Sequence, residues 1–339
     1  MTEPMCLHKI ILIIVLGGWH TLLFAQDYSI TDYRKADSIA GQYAGHSLEH
    51  PAQLALKLTE DLPADRQKFR ALYTWVCTNI KNDYRLYDRN RRKRLKYRDQ
   101  PEKPQRWHRE FARIVSERLR EDRSTLCTGY AYIMRELAGY VGIKARIING
   151  YGRTAHTNVK DEAYVNHSWN AVLLDGAWYL CDPTWSGGYI QDGRFMPQYD
   201  DVYFLADPHL FILNHYPADP AWTLLDEAPP LEKFLHGPVS YKEAYAFRFM
   251  PQDQTYAQKK TPWTLSFQAT AGYEDDITLT ISKGSGRIIV YPDVSYENGR
   301  YVVTHTFGTK GRYDVHLTMA DSVIATYPVQ VYANRFRSF

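Results

Sequence analysis

The sequence predicts an α+β protein in which N-terminal helices pack on an antiparallel sheet and an antiparallel β-sandwich follows. Three observations predict it. Apolar residues recur at spacings of three and four ahead of Gly142, Asp175 and Gly176 separate two apolar runs of strand length, and short alternating runs with glycine-bearing turns occupy the chain from about Thr261. At 339 residues, 45% hydrophobic and 14% aromatic, the chain has material for two domains. A formal charge of +3 is too small to argue for a polyanionic partner.

At the N-terminus Lys9 precedes "IILIIVLGGW", and Ala25 sits at a plausible cleavage position, so residues 1–26 are expected to be a secretory signal peptide. The apolar run is too short to span a bilayer comfortably. The mature chain is then expected to begin near Gln26 or Asp27 and to be secreted, or held in the periplasm or cell envelope. Cys6 leaves with the signal, and Cys77, Cys127 and Cys181 remain, an odd set that leaves at least one thiol free or paired outside the chain.

Helices are expected from Ile30 to Tyr43 and from Pro51 to Tyr84, the second carrying a core stripe of Phe69, Leu72, Tyr73, Val76 and Ile80. Cys77 adjoins that stripe and reads as a small buried filler. "RNRRKRLKYR", Arg89 to Arg98, followed by "DQPEKPQRW", reads as a solvated insertion loop; no aromatic platform for bases accompanies it, and nucleic acid is set aside. After Cys127 the positions Tyr130, Ile133, Met134, Leu137, Ala138 and Val141 keep a helical repeat that Gly142 stops. "IKARIINGY" then reads as a strand, and "HSWNAVLL" and "AWYLCDPTW" as a hairpin turning on Asp175 and Gly176. Past Tyr203 the pattern loses its period, and residues 216–260 are expected to be an irregular connection. Runs such as Ile277, Leu279, Ile281 and Tyr313, Val315, Leu317 then predict the sandwich over residues 261–339.

The hairpin also serves as a ruler for chemistry. A two-residue loop pairs Leu174 with Ala177, which sets His167 opposite Thr184 and Asp182 opposite Trp169. All four side chains then share one face, with His167 and Asp182 as diagonal neighbours about 7–8 Å apart at the backbone. A slip of one residue would send the two to opposite faces. Cys181 faces away from them and reads as structural. An aspartate aimed at a histidine fixes the imidazole tautomer and stabilises the imidazolium formed when the ring takes a proton from a nucleophile. Cys127 suits that nucleophile, because backbone N–H groups at a helix start stabilise a thiolate and an adjacent oxyanion. From the helix and histidine alone, nucleophile and packed filler stand level. The sequence holds no HExxH, no CxxC and no acidic loop of calcium spacing, so neither metal nor cofactor is expected.

"STLCTGYAYIMRELAGYVGIKARIINGYG", "HSWNAVLLDGAWYLCDPTW" and the upstream "RALYTWVCTNIKNDYRLYD" together resemble the core of the transglutaminase-like superfamily, whose fold is papain-like, from about Arg66 to Trp185. "YFLADPHLFILNHYPADPAWTLL" and the β-rich end resemble the kyphoscoliosis-peptidase branch, where such a domain precedes immunoglobulin-like sandwiches. The resemblance implies a transglutaminase-like catalytic domain over residues 27–215, an immunoglobulin-like sandwich behind it, and a triad of Cys127, His167 and Asp182. It implies attack on amide bonds of a peptide or protein substrate through a thioester, with hydrolysis favoured over crosslinking. Trp107 is the candidate oxyanion donor, and Trp107 and Trp169 are the candidate substrate contacts. The charged insertion between Tyr87 and Glu110 has no counterpart in the family pattern. The other function class is a catalytically silent scaffold whose sandwich contacts proteins, including proteins of a cell envelope.

Overall fold

The computed structural model describes residues 32–97, 103–154, 165–252 and 256–333; the expected signal peptide lies outside them. Helices α1 (Arg34–Gln42), α2 (Pro51–Thr59) and α3 (Asp65–Asn79) open the chain. The single helix expected over 51–84 is therefore broken at Pro63, which lacks the N–H a helix interior needs. A two-residue parallel ladder follows, with β1 (Lys81–Asn82) against β2 (Ser124–Thr125). Between these strands lie α4 (Tyr84–Lys96) and α5 (Lys103–Asp122).

The insertion expected to be a solvated loop is thus largely helical, for two physical reasons. Asp83 caps α4 by accepting the Leu86 N–H at 3.0 Å, and arginine and lysine are good helix formers once a cap is in place. Trp107, Phe111 and Val115, spaced by four on α5, then pack with Leu86 and Leu126.

Helix α6 (Cys127–Tyr140) ends in the motif Gly142 foretold. Gly142 sits at φ +79°, its N–H donates to Gly139 O at 3.2 Å, and Ile143 N–H donates to Ala138 O at 2.9 Å. The strands β3 (Ala145–Gly152), β4 (His167–Leu174) and β5 (Ala177–Cys181) come next, followed by the single turn α7 (Pro183–Ser186) and the hairpin β6 (Gly188–Gln191) with β7 (Arg194–Pro197). The short α8 (Pro208–Phe211) leads into β8 (His215–Pro217). The central sheet is antiparallel in the order β5-β4-β3-β8, and α6 lays Tyr130, Met134 and Leu137 against Val172 and Leu174 of β4. Asn170 of β4 fixes that packing, its Nδ2 donating to Ala131 O at 2.9 Å and to Arg146 O at 3.2 Å.

The stretch expected to be irregular holds short elements of its own: α9 (Leu231–His236), β9 (Val239–Ser240), β10 (Met250–Pro251) and β11 (Tyr256–Gln258). The sandwich is completed by β12 (Pro262–Gln268), β13 (Ile277–Lys283), β14 (Gly286–Val290), β15 (Asp293–Glu297), β16 (Arg300–Thr306), β17 (Gly311–Met319) and β18 (Ser322–Tyr332). One sheet runs β10-β12-β16-β15 and the other β11-β18-β17-β13-β14. Both are antiparallel except where β11 joins β18 in parallel, and β9 pairs with β18 as well. Alternation buries Leu265 and Phe267 from one sheet against Leu279, Val315 and Leu317 from the other, the arrangement of an immunoglobulin-like sandwich.

Two glycines let the central sheet close around the site. Gly150 and Gly152 leave β3 without side chains where it passes between β4 and β8. A methyl at Gly150 would collide with Tyr216 O and the Trp169 ring, and one at Gly152 would press on the His167 ring at 3.1 Å. Gly150→Ala is accordingly expected to destabilise the fold by about 1–3 kcal/mol through overpacking. Urea unfolding measures this, and an unchanged midpoint would show that the sheet accommodates the methyl.

Candidate active site

The hairpin register follows from the turn. Asp175 and Gly176 both take positive φ, 51° and 81°, which is the two-residue turn a right-twisted hairpin favours, and Leu174 pairs with Ala177. The ladder runs as far as Asn170 opposite Cys181. Beyond it Pro183 cannot donate to a ladder, so the chain turns into α7 and Thr184 does not reach its expected place opposite His167. The departure aids the geometry. Asp182 becomes the N-cap of α7, its Oδ1 accepting the Thr184 N–H at 2.8 Å, which leaves Oδ2 aimed at His167 Nε2, 2.7 Å away.

Cys127, the first residue of α6, lies within hydrogen-bonding reach of the same imidazole. With Nε2 committed to Asp182, Nδ1 is the ring nitrogen left for the thiol. The structure thus brings Cys127, His167 and Asp182 into one line from the surface of a cavity to a wholly buried carboxylate. Burial by itself would lower the His167 pKa, but the charge and hydrogen bond of Asp182, with a further contribution from Cys127, outweigh it and raise the pKa to about 10. The Asp182 carboxyl shows the other half of the coupling. Burial pushes its pKa up, and His167 with His215 overcomes this and holds it well below the usual carboxylate range.

Cys77, Cys127 and Cys181 are all free and buried. Burial pushes the Cys77 and Cys181 thiols well above their ordinary value, and the Asp182 charge pushes further in the same direction. Those two are inert packing groups, and Cys77 Sγ donates to Pro183 O at 3.5 Å beneath the Asp182 turn.

The expected substrate tryptophans are placed elsewhere. Trp107 is buried between α4 and α5, where its Nε1 donates to Asn90 Oδ1 at 3.0 Å, so the indole N–H expected for an oxyanion is already engaged. Trp169 is wholly buried beneath the site, its ring against His167, Phe211 and His215. Neither lines the cavity at Cys127. The tryptophan that does is Trp185, stacked on His167 with centroids 4.9 Å apart. It belongs to the "DPTW" already quoted, and its step of three from Asp182 across a proline turn is what carries it back over the imidazole.

That cavity encloses about 1000 Å³. Tyr84 and Tyr87 from the start of α4, Cys127 and His167, and Tyr241 with Glu243 from the chain after β9 line its walls. It is large enough for a segment of polypeptide, and apolar aromatic walls with a few convergent polar groups are the usual makeup of such a site.

One residue escaped sequence reasoning. His215, on β8, places Nε2 3.0 Å from Asp182 Oδ2, so the carboxylate serves two imidazoles. The signal was available in "NGYG", since glycines inside a strand mark a close approach, here of His167 and His215 across β3. His167, Asp182 and His215 are also the group, among the described residues, whose donor atoms could hold a metal, lying within 4.8 Å of one another. Their short mutual hydrogen bonds account for the same convergence.

Residues 52–183 match the family model of the transglutaminase-like superfamily. Human kyphoscoliosis peptidase is 26% identical over 228 residues, covering 66% of this chain and 31% of that protein. The mouse protein is 27% identical over 276 residues, covering 77% of this chain and 39% of that protein. Hillarin of Drosophila melanogaster is 31% identical over 120 residues, covering 31% of this chain and 15% of that protein. The chain therefore spans about a third of the length of the kyphoscoliosis peptidases it matches. Among solved structures, the Lin-41 filamin domain matches at 13% identity over 25% of this chain and 89% of that one, with a TM-score of 0.22. The chain carries a domain of the transglutaminase-like superfamily and is similar to its kyphoscoliosis-peptidase branch.

Proposed function

We propose that this chain is an exported cysteine enzyme that cleaves amide bonds of peptides or proteins. The observation that carries the reading is the line from Cys127 through His167 to a buried, ionised Asp182 at the wall of a polypeptide-sized cavity. Export rests on the apolar run ahead of Ala25.

In this mechanism the Cys127 thiol hands its proton to His167, and the thiolate attacks the amide carbonyl carbon. The carbonyl oxygen takes the electron pair and faces the first N–H groups of α6, which have no acceptor within the helix. As the tetrahedral species collapses, the C–N bond breaks and His167 gives its proton to the departing amine. Water, deprotonated by His167, then opens the thioester and releases a carboxylic acid. Asp182 keeps the imidazole oriented throughout and balances its charge without taking the proton. Hydrolysis is favoured over transfer to an amine because the chain is similar to the kyphoscoliosis-peptidase branch.

A casein-like acceptor, incubated with and without a labelled primary amine, separates the outcomes. New amino termini without incorporated label are expected. Incorporation of the amine into intact acceptor would make the enzyme a transglutaminase, and neither product would favour a scaffold.

A further inference from the structure

His215 does more than fill space beside the triad. Its ring is wholly buried, stacked on Phe211 with centroids 4.0 Å apart, and the ladder to β3 fixes its backbone opposite Gly152. Both ring nitrogens have polar neighbours: Nε2 lies 3.0 Å from Asp182 Oδ2, and Nδ1 lies 2.7 Å from one end of the Asn214 carboxamide. The other end of that amide is 3.1 Å from Tyr203 Oη, and Tyr245 Oη lies 3.3 Å from the end facing His215.

A neutral imidazole has one N–H and one lone pair, and an ionised carboxylate only accepts. The N–H must therefore be on Nε2, which leaves Nδ1 as an acceptor. The two ends of a carboxamide are told apart by their partners, and here only one orientation satisfies every group. The Asn214 amino group donates to His215 Nδ1 with its second hydrogen toward Tyr245 Oη, while its oxygen accepts from Tyr203. The opposite orientation would require a second imidazolium beside that of His167, two cations on one carboxylate where the imidazoles have almost no access to water.

We propose that His215 is a positioning residue for the reaction, donating from Nε2 to Asp182 Oδ2 in a tautomer set by the chain Asn214–Tyr203. The proposal rests on the triad reading above. With His167, His215 and the Thr184 N–H, Asp182 accepts three hydrogen bonds, which disperse its charge and hold Oδ2 toward His167. Dispersal also makes Oδ2 a poorer base, so the transferred proton stays on His167. The His215 pKa supports this state. Burial lowers it, the neighbouring His167 cation lowers it further, and Asp182 only partly opposes them, leaving it at about 4.

Histidine-selective ¹⁵N NMR on the native protein, with His215→Phe to assign the resonance, reads the tautomer directly. The rate of Cys127 alkylation at pH 6 is measured in parallel on native protein, His215→Phe and His215→Gln. His215→Phe keeps the ring stack and removes the donor, whereas His215→Gln restores a donor and loses the ring. One proton on His215, at Nε2, is expected between pH 5 and 8. Alkylation is expected to fall about 3–10-fold in His215→Phe, less than on loss of His167 itself because His215 acts only through Asp182, and to recover more than half of that loss in His215→Gln. A doubly protonated ring, a proton on Nδ1 alone, unchanged alkylation in His215→Phe, or equal losses in both variants would overturn the proposal. If Cys127 proves no more reactive than a free thiol in the native protein, the triad reading fails. The ¹⁵N spectrum still decides the His215 assignment, and it does not depend on whether a variant folds.

Discussion

At pH 6, iodoacetamide is expected to alkylate Cys127, spare Cys77 and Cys181, and lose most of its rate on Cys127 when His167 is replaced by alanine. A thiol without a partner is ionised to about 0.3% at that pH, whereas one that passes its proton to an adjacent imidazole is ionised almost fully. The ceiling on the effect is therefore about 300-fold. An easily ionised thiol is also a weaker nucleophile, which brings the expected loss to about 10–100-fold. Peptide mapping of the adduct and a rate series from pH 5 to 9 check this. His167→Ala should regain its rate as the pH rises past the range of an ordinary thiol. A native Cys127 that reacts no faster than glutathione at pH 6 would sink the thiolate–imidazolium reading, and turnover by Cys127→Ala would sink the nucleophile.

The second large effect is on stability. Asp182→Ala leaves the His167 and His215 imidazoles buried around a missing charge, and breaking a buried pair in this way costs about 3–5 kcal/mol. The pH dependence carries a definite sign. His167 has a folded pKa of about 10 against 6.5 for the free side chain, so its contribution is complete below pH 6.5 and is lost as the pH rises toward 10. His215 is lowered to about 4, so its contribution is complete above pH 6.5 and is lost as the pH falls toward 4. Asp182 adds a loss in the same acid direction, beginning below the usual carboxylate value of 3.8. In a Cys127→Ala background, where no thiol titration offsets that of His167, these groups should place the peak of the thermal midpoint near pH 6.5, and the alkaline decline should be shallower once Asp182→Ala is added. Melting curves from pH 5 to 10 test this, and a midpoint that climbs between pH 7 and 9 in that background would contradict the His167–Asp182 charged pair.

What the sequence made legible depended on whether a local rule governed it. The His167–Asp182 contact followed from a two-residue turn and the period of a strand, both of which lie within twenty residues. The end of α6 followed from a single glycine at positive φ. The meeting of Cys127 with His167 did not follow from any local rule, because it depends on how α6 lies across β4, and only the family resemblance pointed to it. His215 was harder still. Its strand, β8, has three residues, too few to show alternation, and lies 33 residues from Asp182 in the chain. The helical state of Tyr84–Lys96 was hidden for another reason. A run of arginine and lysine looks alike in a helix and in a solvated loop, and the capping Asp83 precedes the run rather than interrupting it.

The parallel ladder of Lys81–Asn82 with Ser124–Thr125 bears on how freely this protein can be remodelled. Parallel strands cannot be joined by a tight turn; the connecting chain must travel back to its starting end, which takes about a dozen residues or more. The segment from Tyr84 to Arg123 therefore has a lower limit on its length set by the ladder, with no comparable upper limit. Cys127 begins α6 directly beyond the ladder and packs with Leu86, Trp107, Phe111 and Val115 of that segment, so a graft that reshapes the tyrosine-lined side of the cleft must keep those apolar positions to leave the sulfur where it is. The ladder thus sets how short this segment can be, and the packing on Cys127 sets which of its positions are not free to change.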